Sequence, residues 1–234
     1  MTITATPNSG YELKSLTVTD QNGKAIALTD NGDGTYSFTM PDGKVNVSTD
    51  FQAQQQPTPS TGFADVAAGT YYADAVQWAV EQGITNGTAP NTFSPEEACT
   101  RGQVVTFLWR AMGSPTPAGT GSAFTDVPAG TYYADAVQWA VEQGITNGTA
   151  PDAFSPEETV TRGQVVTFLW RLASQPAASG PSFSDVAADA YYAGAVRWAM
   201  QEEITNGTAP NTFSPKEACT RGQIVTFLYR DLAQ

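Results

Sequence analysis

The chain of 234 residues contains no histidine and only two cysteines. Without histidine it cannot form a Ser-His-Asp or Cys-His catalytic arrangement or a His-dependent metal site, and it lacks the commonest general base near neutral pH. Two cysteines are too few for a zinc cluster or a disulfide framework. The sequence therefore predicts no metal, no cofactor and no histidine-dependent catalysis.

Long apolar runs and clusters of basic residues are also missing. No run approaches 18 apolar residues, so we expect no insertion into a membrane. The 11 basic and 23 acidic residues give a net charge of −12, which repels phosphate backbones and argues against nucleic acid as a partner. The residues after Met1 are typical of a strand rather than a secretory signal, so we expect a fragment whose signal peptide is not in this chain.

An internal repeat dominates the rest of the sequence. Phe63, Phe124 and Phe183 are separated by 61 and 59 residues, and residues 70–90 are identical to residues 131–151. The same spacing recurs in two further sets: Trp78, Trp139 and Trp198, and Arg101, Arg162 and Arg221. We expect a small β module at 1–51, a linker at 52–61, and three repeats at 62–114, 123–174 and 182–234.

Residues 1–51 show the alternation and the turns of a small all-β domain. Strands are predicted at 2–6, 15–19, 35–40 and 44–50, with Asn-Gly and Asp-Gly turns between them. The acidic run at 30–34 lacks the ligand spacing of a calcium-binding EF-hand. We therefore expect a hairpin turn there.

Each repeat is predicted to contain two helices, so the chain is mainly α. In the first repeat, apolar residues from Tyr72 to Val80 recur at helical spacing, and Gly83 marks the end of that helix. Thr100 is expected to cap a second helix in a capping box with Gln103. Because this second helix is apolar on nearly all sides, we expect the three copies to form a central bundle.

A further helix start is predicted at Ser94, since proline and acidic residues follow it. The adjacent carboxylates of Glu96 and Glu97 lie on one turn and do not face each other as glycoside hydrolysis requires. We therefore expect the chain not to be an enzyme.

The cysteines occupy one position of the repeat, where the middle copy has Val160. A residue that exchanges with valine is expected to be a small buried side chain. A bridge between Cys99 and Cys219 is the alternative, if a three-fold arrangement brings the copies together.

Arg101 and its equivalents Arg162 and Arg221 stand in the first turn of the second helix, where a cation opposes the helix dipole. This placement indicates a negatively charged partner. Two alternatives stay open: an internal carboxylate or an acidic ligand group, which a guanidinium can bind with two hydrogen bonds. The candidate internal carboxylates are Asp65, Asp126 and Asp185.

A second arginine follows nine positions later, half a turn around the same helix, so the two cannot share one site. We assign this later set, Arg110, Arg171 and Arg230, mainly to helix capping and solubility.

Glycines and aromatic residues complete the candidate site. Gly87, Gly148 and Gly207 lie in Asn-Gly turns, where they form a tight turn or allow a sugar close to the backbone. The tryptophans of the first helix and the tyrosine pairs before it, such as Tyr71 and Tyr72, are either core residues or a wall for stacking sugars.

These motifs, in this order and in triplicate, resemble the S-layer homology domain. The resemblance is carried by Phe-Ala-Asp-Val from Phe63, Gly-Ile-Thr from Gly83, Thr-Phe-Ser-Pro from Thr92 and Thr-Arg-Gly-Gln from Thr100. It implies a pseudo-three-fold spindle with a central three-helix bundle. It also implies attachment to an acidic, pyruvylated secondary cell-wall polysaccharide in grooves between the repeats, to which the Arg101 set and the Gly87 set contribute.

The β module is similar to internalin B-repeat-like modules of bacterial surface proteins, from Gly10 to Pro41. The repeats depart from the family pattern at Gly102 and Gln103, where alanine and glutamate are usual. We expect a secreted, non-catalytic anchor at the bacterial cell surface, monomeric with an internal pseudo-trimer. The alternative is a structural or protein-interaction module that binds no glycan.

Overall fold

The computed structural model describes residues 1–8, 11–53, 62–119, 121 and 124–233. The chain divides into two units, Met1–Thr58 and Pro59–Gln234. Four features predicted from the sequence fall wholly or partly outside the described residues, and one of them is the end of the third repeat at 234. The others are Gly10 of the β-module pattern, most of the linker at 52–61, and the start of the second repeat at 123.

The described residues of the first unit form five strands: β1 (Thr2–Thr4), β2 (Tyr11–Asp20), β3 (Thr29–Asp30), β4 (Thr35–Ser37) and β5 (Val45–Ala53). Strands β1, β4 and β3 form an antiparallel sheet in that order, and β2 pairs with β5 in a second antiparallel sheet. Val18 and Phe38 are buried. The sequence missed the two-residue strand β3, and β5 continues past the predicted end of the module at 51.

The acidic run at 30–34 forms a turn. The backbone N–H of Gly32 donates to Asp30 Oδ1 at 2.8 Å, and that of Thr35 donates to Asp33 Oδ1 at 3.0 Å. The Thr35 hydroxyl and backbone N–H together lower the pKa of the Asp33 carboxyl. These carboxylates therefore satisfy the backbone of a hairpin turn.

In the second unit the described residues form two helices per repeat, as predicted. They are α1 (Ala73–Glu81), α2 (Arg101–Ala111), α3 (Ala134–Glu142), α4 (Arg162–Leu172), α5 (Ala193–Gln201) and α6 (Arg221–Leu232). The predicted capping box is present at the start of α2, α4 and α6. Gly83 follows the C-cap of α1 with φ of 68°, a conformation that favours glycine.

The helix start predicted at Ser94 is wrong. Ser94 adopts φ of 59°, and the Glu97 N–H donates to the Ser94 carbonyl at 3.1 Å to close a single turn. Only a few residues remain before the capping box of Thr100, and Ala98 pairs there with Thr220 of the third repeat in an isolated β-bridge. This pairing requires extended backbone, so helix-start signals are overridden by contact with another repeat.

The first helix of each repeat packs on the second helix of another repeat. Helix α3 packs on α2, α5 on α4, and α1 on α6, while α6 also contacts α2 and α4. The third repeat thus packs back on the first. Because each apolar helix face is covered by a neighbouring repeat, no repeat buries its own apolar surface alone.

A ring of backbone hydrogen bonds joins the three repeats. The N–H of Cys99 donates to the Cys219 carbonyl at 3.0 Å, that of Cys219 to Val160 at 2.9 Å, and that of Val160 to Cys99 at 3.0 Å. All three side chains are fully buried, so the expectation that Cys99 and Cys219 replace a buried valine is confirmed. Both thiols are free, and burial raises the pKa of each to about 12.

We predict that Cys99 and Cys219 resist alkylation in the folded protein, because at pH 8 both are buried and protonated. Incubation with iodoacetamide should add no label to native protein and two labels after denaturation, as measured by mass spectrometry without reductant. A mass two units lower, with no labelling after denaturation, would show a disulfide instead.

Asp231, in the last turn of α6, lowers stability at neutral pH. Its burial, together with the negative charge of Glu202, raises the pKa of this carboxyl to about 6. The ordinary value is about 3.9. The folded state therefore binds the proton more tightly than the unfolded state. The protonated Asp231 carboxyl therefore contributes its full stabilisation below about pH 4, and this contribution is lost as pH rises through about 6.

We predict that Asp231→Asn raises Tm at pH 7.5 by about 2–4 °C, since solvent screening reduces the effect to about 1 kcal/mol. At pH 4 the variant and the wild type should melt together. Glu202→Gln should give a smaller increase at pH 7.5. Differential scanning calorimetry at both pH values would contradict this account if Asp231→Asn melted lower at pH 7.5.

Candidate ligand-binding grooves between repeats

The first arginine of each second helix reaches into another repeat. The Nε of Arg101 donates to the Phe154 carbonyl at 2.9 Å, and that of Arg162 donates to the Phe213 carbonyl at 2.8 Å. The Nε of Arg221 donates to the Phe93 carbonyl at 2.7 Å. Only 3%, 2% and 4% of these three residues is exposed. Each guanidinium is thus fixed at a boundary between repeats.

Two phenylalanine rings hold each guanidinium. The first ring belongs to the phenylalanine whose carbonyl accepts the Nε hydrogen bond. Its centre lies 4.8 Å from the arginine Cζ atom in all three copies. A second ring from the same neighbouring repeat lies 5.3–5.6 Å away; these rings are Phe168, Phe227 and Phe107. Cation–π attraction and the Nε bond leave the guanidinium little freedom to move.

The outer nitrogens of these guanidiniums are poorly satisfied. Among the described residues, Nη2 of Arg101 and Nη2 of Arg162 are buried without a hydrogen-bond partner, and Nη2 of Arg221 lies 3.5 Å from Thr85 Oγ1. Burial lowers the pKa of Arg101 and Arg162, but a guanidinium remains protonated in proteins. A buried cation with an unpaired donor is costly unless an anion reaches it.

The direct salt bridge hypothesised between these arginines and an aspartate is wrong. Within the described residues no ion pair joins Arg101, Arg162 or Arg221 to a carboxylate. Instead, the Asp65 carboxylate accepts the N–H of Phe93 at 2.9 Å and that of Ser94 at 2.7 Å. Asp126 and Asp185 bind the equivalent N–H groups in their own repeats. Asp65 and Arg221 therefore hold the same residue, Phe93, by its N–H and its carbonyl.

Two grooves open beside these arginines. The first, of about 530 Å³, is formed mainly by loop 85–88 and helix α2 of the first repeat. Glu97 of the first repeat, Arg221 of the third and Tyr132 of the second complete it, so this groove contains one carboxylate beside its two arginines. The second groove, of about 340 Å³, is formed by loop 205–208 and α6, with Arg162 and Tyr71 from the other two repeats. Each groove is therefore built from all three repeats.

Two of the three later arginines also line these grooves, which corrects the assignment of those two to capping and solubility. Arg110 lines the first groove and Arg230 the second. Nη1 of Arg110, of Arg171 and of Arg230 donates to the carbonyl of an isoleucine in its own repeat, at 3.1, 3.0 and 3.2 Å. In α6 the two arginines, Arg221 and Arg230, line different grooves, yet each groove combines an early arginine of one repeat with a late arginine of another.

The glycine turns have a structural requirement of their own. Gly87 has φ of 84°, and a Cβ added there would lie within 3.0 Å of the Thr92 carbonyl oxygen and the Phe63 ring. Gly148 and Gly207 have the same environment. Gly87 and Gly207 line the two grooves. The turn therefore needs glycine whether or not a ligand approaches it.

The aromatic candidates separate into core and groove residues. Trp139 and Trp198 are 5% and 4% exposed, and Trp78 packs on Tyr229 with ring centres 5.7 Å apart. The first tyrosine of each pair is exposed, and two of these, Tyr71 and Tyr132, line the grooves. The structure thus places the tryptophans in the core, whereas a single tyrosine of each pair is available to a ligand.

Comparison of the sequence with known protein families identifies the family to which the chain belongs. The S-layer homology domain matches residues 62–105, 123–166 and 182–225, and the divergent InlB B-repeat domain matches residues 1–55. The chain belongs to the S-layer homology family, with a divergent InlB B-repeat at its N-terminal side. Both resemblances noted in the sequence are confirmed.

Three relatives show where such chains occur. The chain is 30% identical over 97 residues, 42% of its length, to the surface-layer 125 kDa protein of Lysinibacillus sphaericus. It is 30% identical over 116 residues, 48% of its length, to a cell surface protein of Thermoanaerobacter kivui. An endoglucanase of a Bacillus species is 27% identical over 168 residues, 69% of this chain.

The chain spans 8%, 15% and 18% of the length of these three relatives. Family and relatives together assign it to the bacterial cell surface. In the part of the chain that the structure describes, no helix has the length and hydropathy needed to cross a bilayer.

We predict that Asp65→Ala destabilises the fold, because it leaves the N–H groups of Phe93 and Ser94 without their acceptor. The free energy of unfolding in urea should fall by about 1–3 kcal/mol at pH 7. Asp74→Ala, in the exposed first turn of α1, is the matched control and should cost less.

The same pair of variants tests the pH dependence. Partial burial opposes ionisation of Asp65, but the two N–H donors outweigh it and lower the pKa of the carboxyl. The stabilisation should therefore be complete above about pH 4 and disappear as pH falls through the lowered pKa. Equal stability of Asp65→Ala and Asp74→Ala at pH 7 would contradict the assigned role.

Proposed function

We propose that the chain is a non-catalytic anchoring module whose inter-repeat grooves bind an acidic secondary cell-wall polysaccharide. A pyruvylated polymer is our first choice of ligand. One observation carries the proposal: a buried guanidinium nitrogen, Nη2 of Arg162, has no hydrogen-bond partner in the part of the chain that the structure describes, and Arg162 lines an open groove. A carboxylate of the glycan would supply the missing partner.

The charge of the molecule explains why the cation must be local. The chain has a net charge of −12 and repels an acidic glycan at long range. Attraction therefore has to arise within the groove, where low dielectric strengthens a charge-assisted hydrogen bond. The early and late arginines supply positive charge from both walls, as Arg162 and Arg230 do in the second groove.

The other candidate residues have supporting roles in this proposal. Gly87, Gly148 and Gly207 shape the groove loop, and Asp65, Asp126 and Asp185 hold the backbone to which the arginines bind. The tryptophans Trp78, Trp139 and Trp198, also predicted as ligand contacts, are assigned to the core.

We also propose the finer architecture that the resemblance implies: a monomer in which the repeats form a pseudo-three-fold spindle around a central bundle of α2, α4 and α6. The ring of backbone bonds through Cys99, Val160 and Cys219 supports it, and so does the cyclic packing of first helices on second helices.

A protein-interaction or structural module is the second candidate function. The observation that favours it is the Nε bond of each arginine to a phenylalanine carbonyl of another repeat, which by itself holds the repeats together. If this were the whole role of the arginines, their replacement would reduce stability without changing any affinity for the wall.

The decisive variant is Arg101→Lys/Arg162→Lys/Arg221→Lys, because lysine keeps the charge and most of the buried stem but loses the planar fork. Its affinity for purified sacculi that carry their polysaccharide should fall about 10- to 100-fold, because each groove loses the binding free energy of about one charge-assisted hydrogen bond. Binding should be measured at least 20 °C below the Tm of each variant, with helicity checked by circular dichroism.

Lys216→Ala is the matched control, since it removes an exposed cation of the third repeat outside the grooves. It should bind as the wild type does. Unchanged binding of the triple lysine variant, accompanied by a lower Tm, would favour the structural function. Release of soluble sugar from the sacculi by the wild type would contradict the non-catalytic assignment.

A further inference from the structure

The third repeat differs from the other two at two positions beside its groove. Glu203 occupies the position of Gly83 and Gly144, and Tyr229 occupies that of a tryptophan. Both glycines have φ of 68°, and Glu203 keeps the same left-handed backbone, with φ of 57°. A side chain destabilises this conformation, which glycine adopts without strain. The fold alone therefore favours glycine at position 203, and the glutamate needs another explanation.

Glu203 and Tyr229 line a cavity of about 390 Å³, whose other walls are Asn206, Arg230 and Ala233. We call it the side cavity. Asn206 and Arg230 also line the second groove, so the side cavity adjoins that groove. Its volume is in the range of small-molecule sites. A ligand bound in the second groove can therefore continue into the side cavity.

The equivalent tryptophans of the first two repeats have a different environment. Nε1 of Trp109 donates to the Pro115 carbonyl at 2.8 Å, and Nε1 of Trp170 donates to the Pro176 carbonyl at 2.9 Å. In these repeats the segment after the second helix thus contacts the tryptophan. Tyr229 instead lines the side cavity. Both exchanges in the third repeat are therefore at the wall of this cavity.

The side chains of the side cavity suit an uncharged sugar. The exposed Glu203 carboxylate accepts hydrogen bonds from hydroxyl groups, and the Asn206 amide both donates and accepts. Tyr229 adds an aromatic ring with a polar tip. Arg230 is common to both cavities, so Glu203 is the charge that distinguishes the side cavity from the second groove. A second acidic sugar would be repelled by this carboxylate.

We propose that the side cavity is a second sugar subsite, which binds an uncharged sugar next to the acidic sugar held by Arg162 in the second groove. The third repeat thus recognises two consecutive sugars of the wall polymer. This inference rests on the proposed function, and it adds a ligand class and an explanation for the strained backbone of Glu203.

Two oligosaccharides prepared from the wall polysaccharide test the proposal: a single acidic sugar, and the same sugar linked to its uncharged neighbour. An NMR titration of the isotope-labelled chain follows the first groove by the Gly87 amide and the second by the Gly207 amide. At Gly207 the disaccharide should bind about tenfold more tightly, because further hydrogen bonds form. At Gly87 the two ligands should agree within twofold.

Glu203→Gly/Tyr229→Trp gives the third repeat the residues of the other two. The tenfold difference at Gly207 should disappear, whereas affinities at Gly87 should not change. Glu203→Gly alone leaves the aromatic packing intact and should lose about threefold of the difference. Its Tm should equal or exceed that of the wild type, because glycine relieves the strain at position 203.

Glu202→Gln is the matched control, since Glu202 is an exposed carboxylate one residue earlier, outside the side cavity. It should keep the tenfold difference at Gly207. This control and Glu203→Gly each remove one negative charge. A purely electrostatic effect would therefore strengthen the binding of both oligosaccharides in both variants.

The outcomes separate this inference from the proposed function. If the double variant kept the tenfold difference, or the wild type showed the same difference at Gly87, the subsite would be overturned while anchoring stood. A wall polysaccharide made of acidic sugars alone would also overturn the subsite. If neither oligosaccharide shifted either glycine resonance, the proposed function itself would fail.

Discussion

The structure depends on the hydrogen bond that each early arginine makes across a repeat boundary. Through Nε, Arg162 binds the backbone of the third repeat, and two phenylalanine rings of that repeat enclose its guanidinium. The bond holds the repeats together and brings a cation to the wall of a groove. Different nitrogens of one side chain thus have different environments: Nε supports the fold, whereas Nη2, which is buried without a hydrogen-bond partner among the described residues, is the nitrogen that we propose for a ligand.

Local rules build this arrangement step by step. The capping box fixes where the second helix begins, so the arginine after the capping threonine always occupies the first helical position. From there the side chain leaves its own repeat. In the neighbouring repeat, one phenylalanine accepts the arginine through its carbonyl and donates its own N–H to an aspartate. Phe213 is an example: its carbonyl accepts from Arg162 Nε, and its N–H donates to Asp185. A carboxylate therefore supports the cation through the backbone, without neutralising it.

Sequence reasoning succeeded where one segment alone decides the structure. The repeats, the two helices in each, the capping boxes and the burial of Cys99 and Cys219 all follow from local pattern and from comparison between copies. It failed at Ser94, because pairing with another repeat overrides a helix-start signal there. It also misassigned Arg110, since helical spacing gives the direction of a side chain but not the neighbour it meets. Which residues of different repeats contact each other depends on how the repeats pack, and the periodicity of the sequence does not determine that packing.

The central claim is that an unpaired guanidinium nitrogen binds a carboxylate of the wall polymer. A crystal structure of the chain with an acidic oligosaccharide released from cell walls tests it most directly. The account predicts a carboxylate oxygen about 2.7–2.9 Å from Nη2 of Arg162, in the groove bounded by Asn206 and Tyr71. An oligosaccharide bound away from all three early arginines, with Nη2 still unpaired, would contradict it.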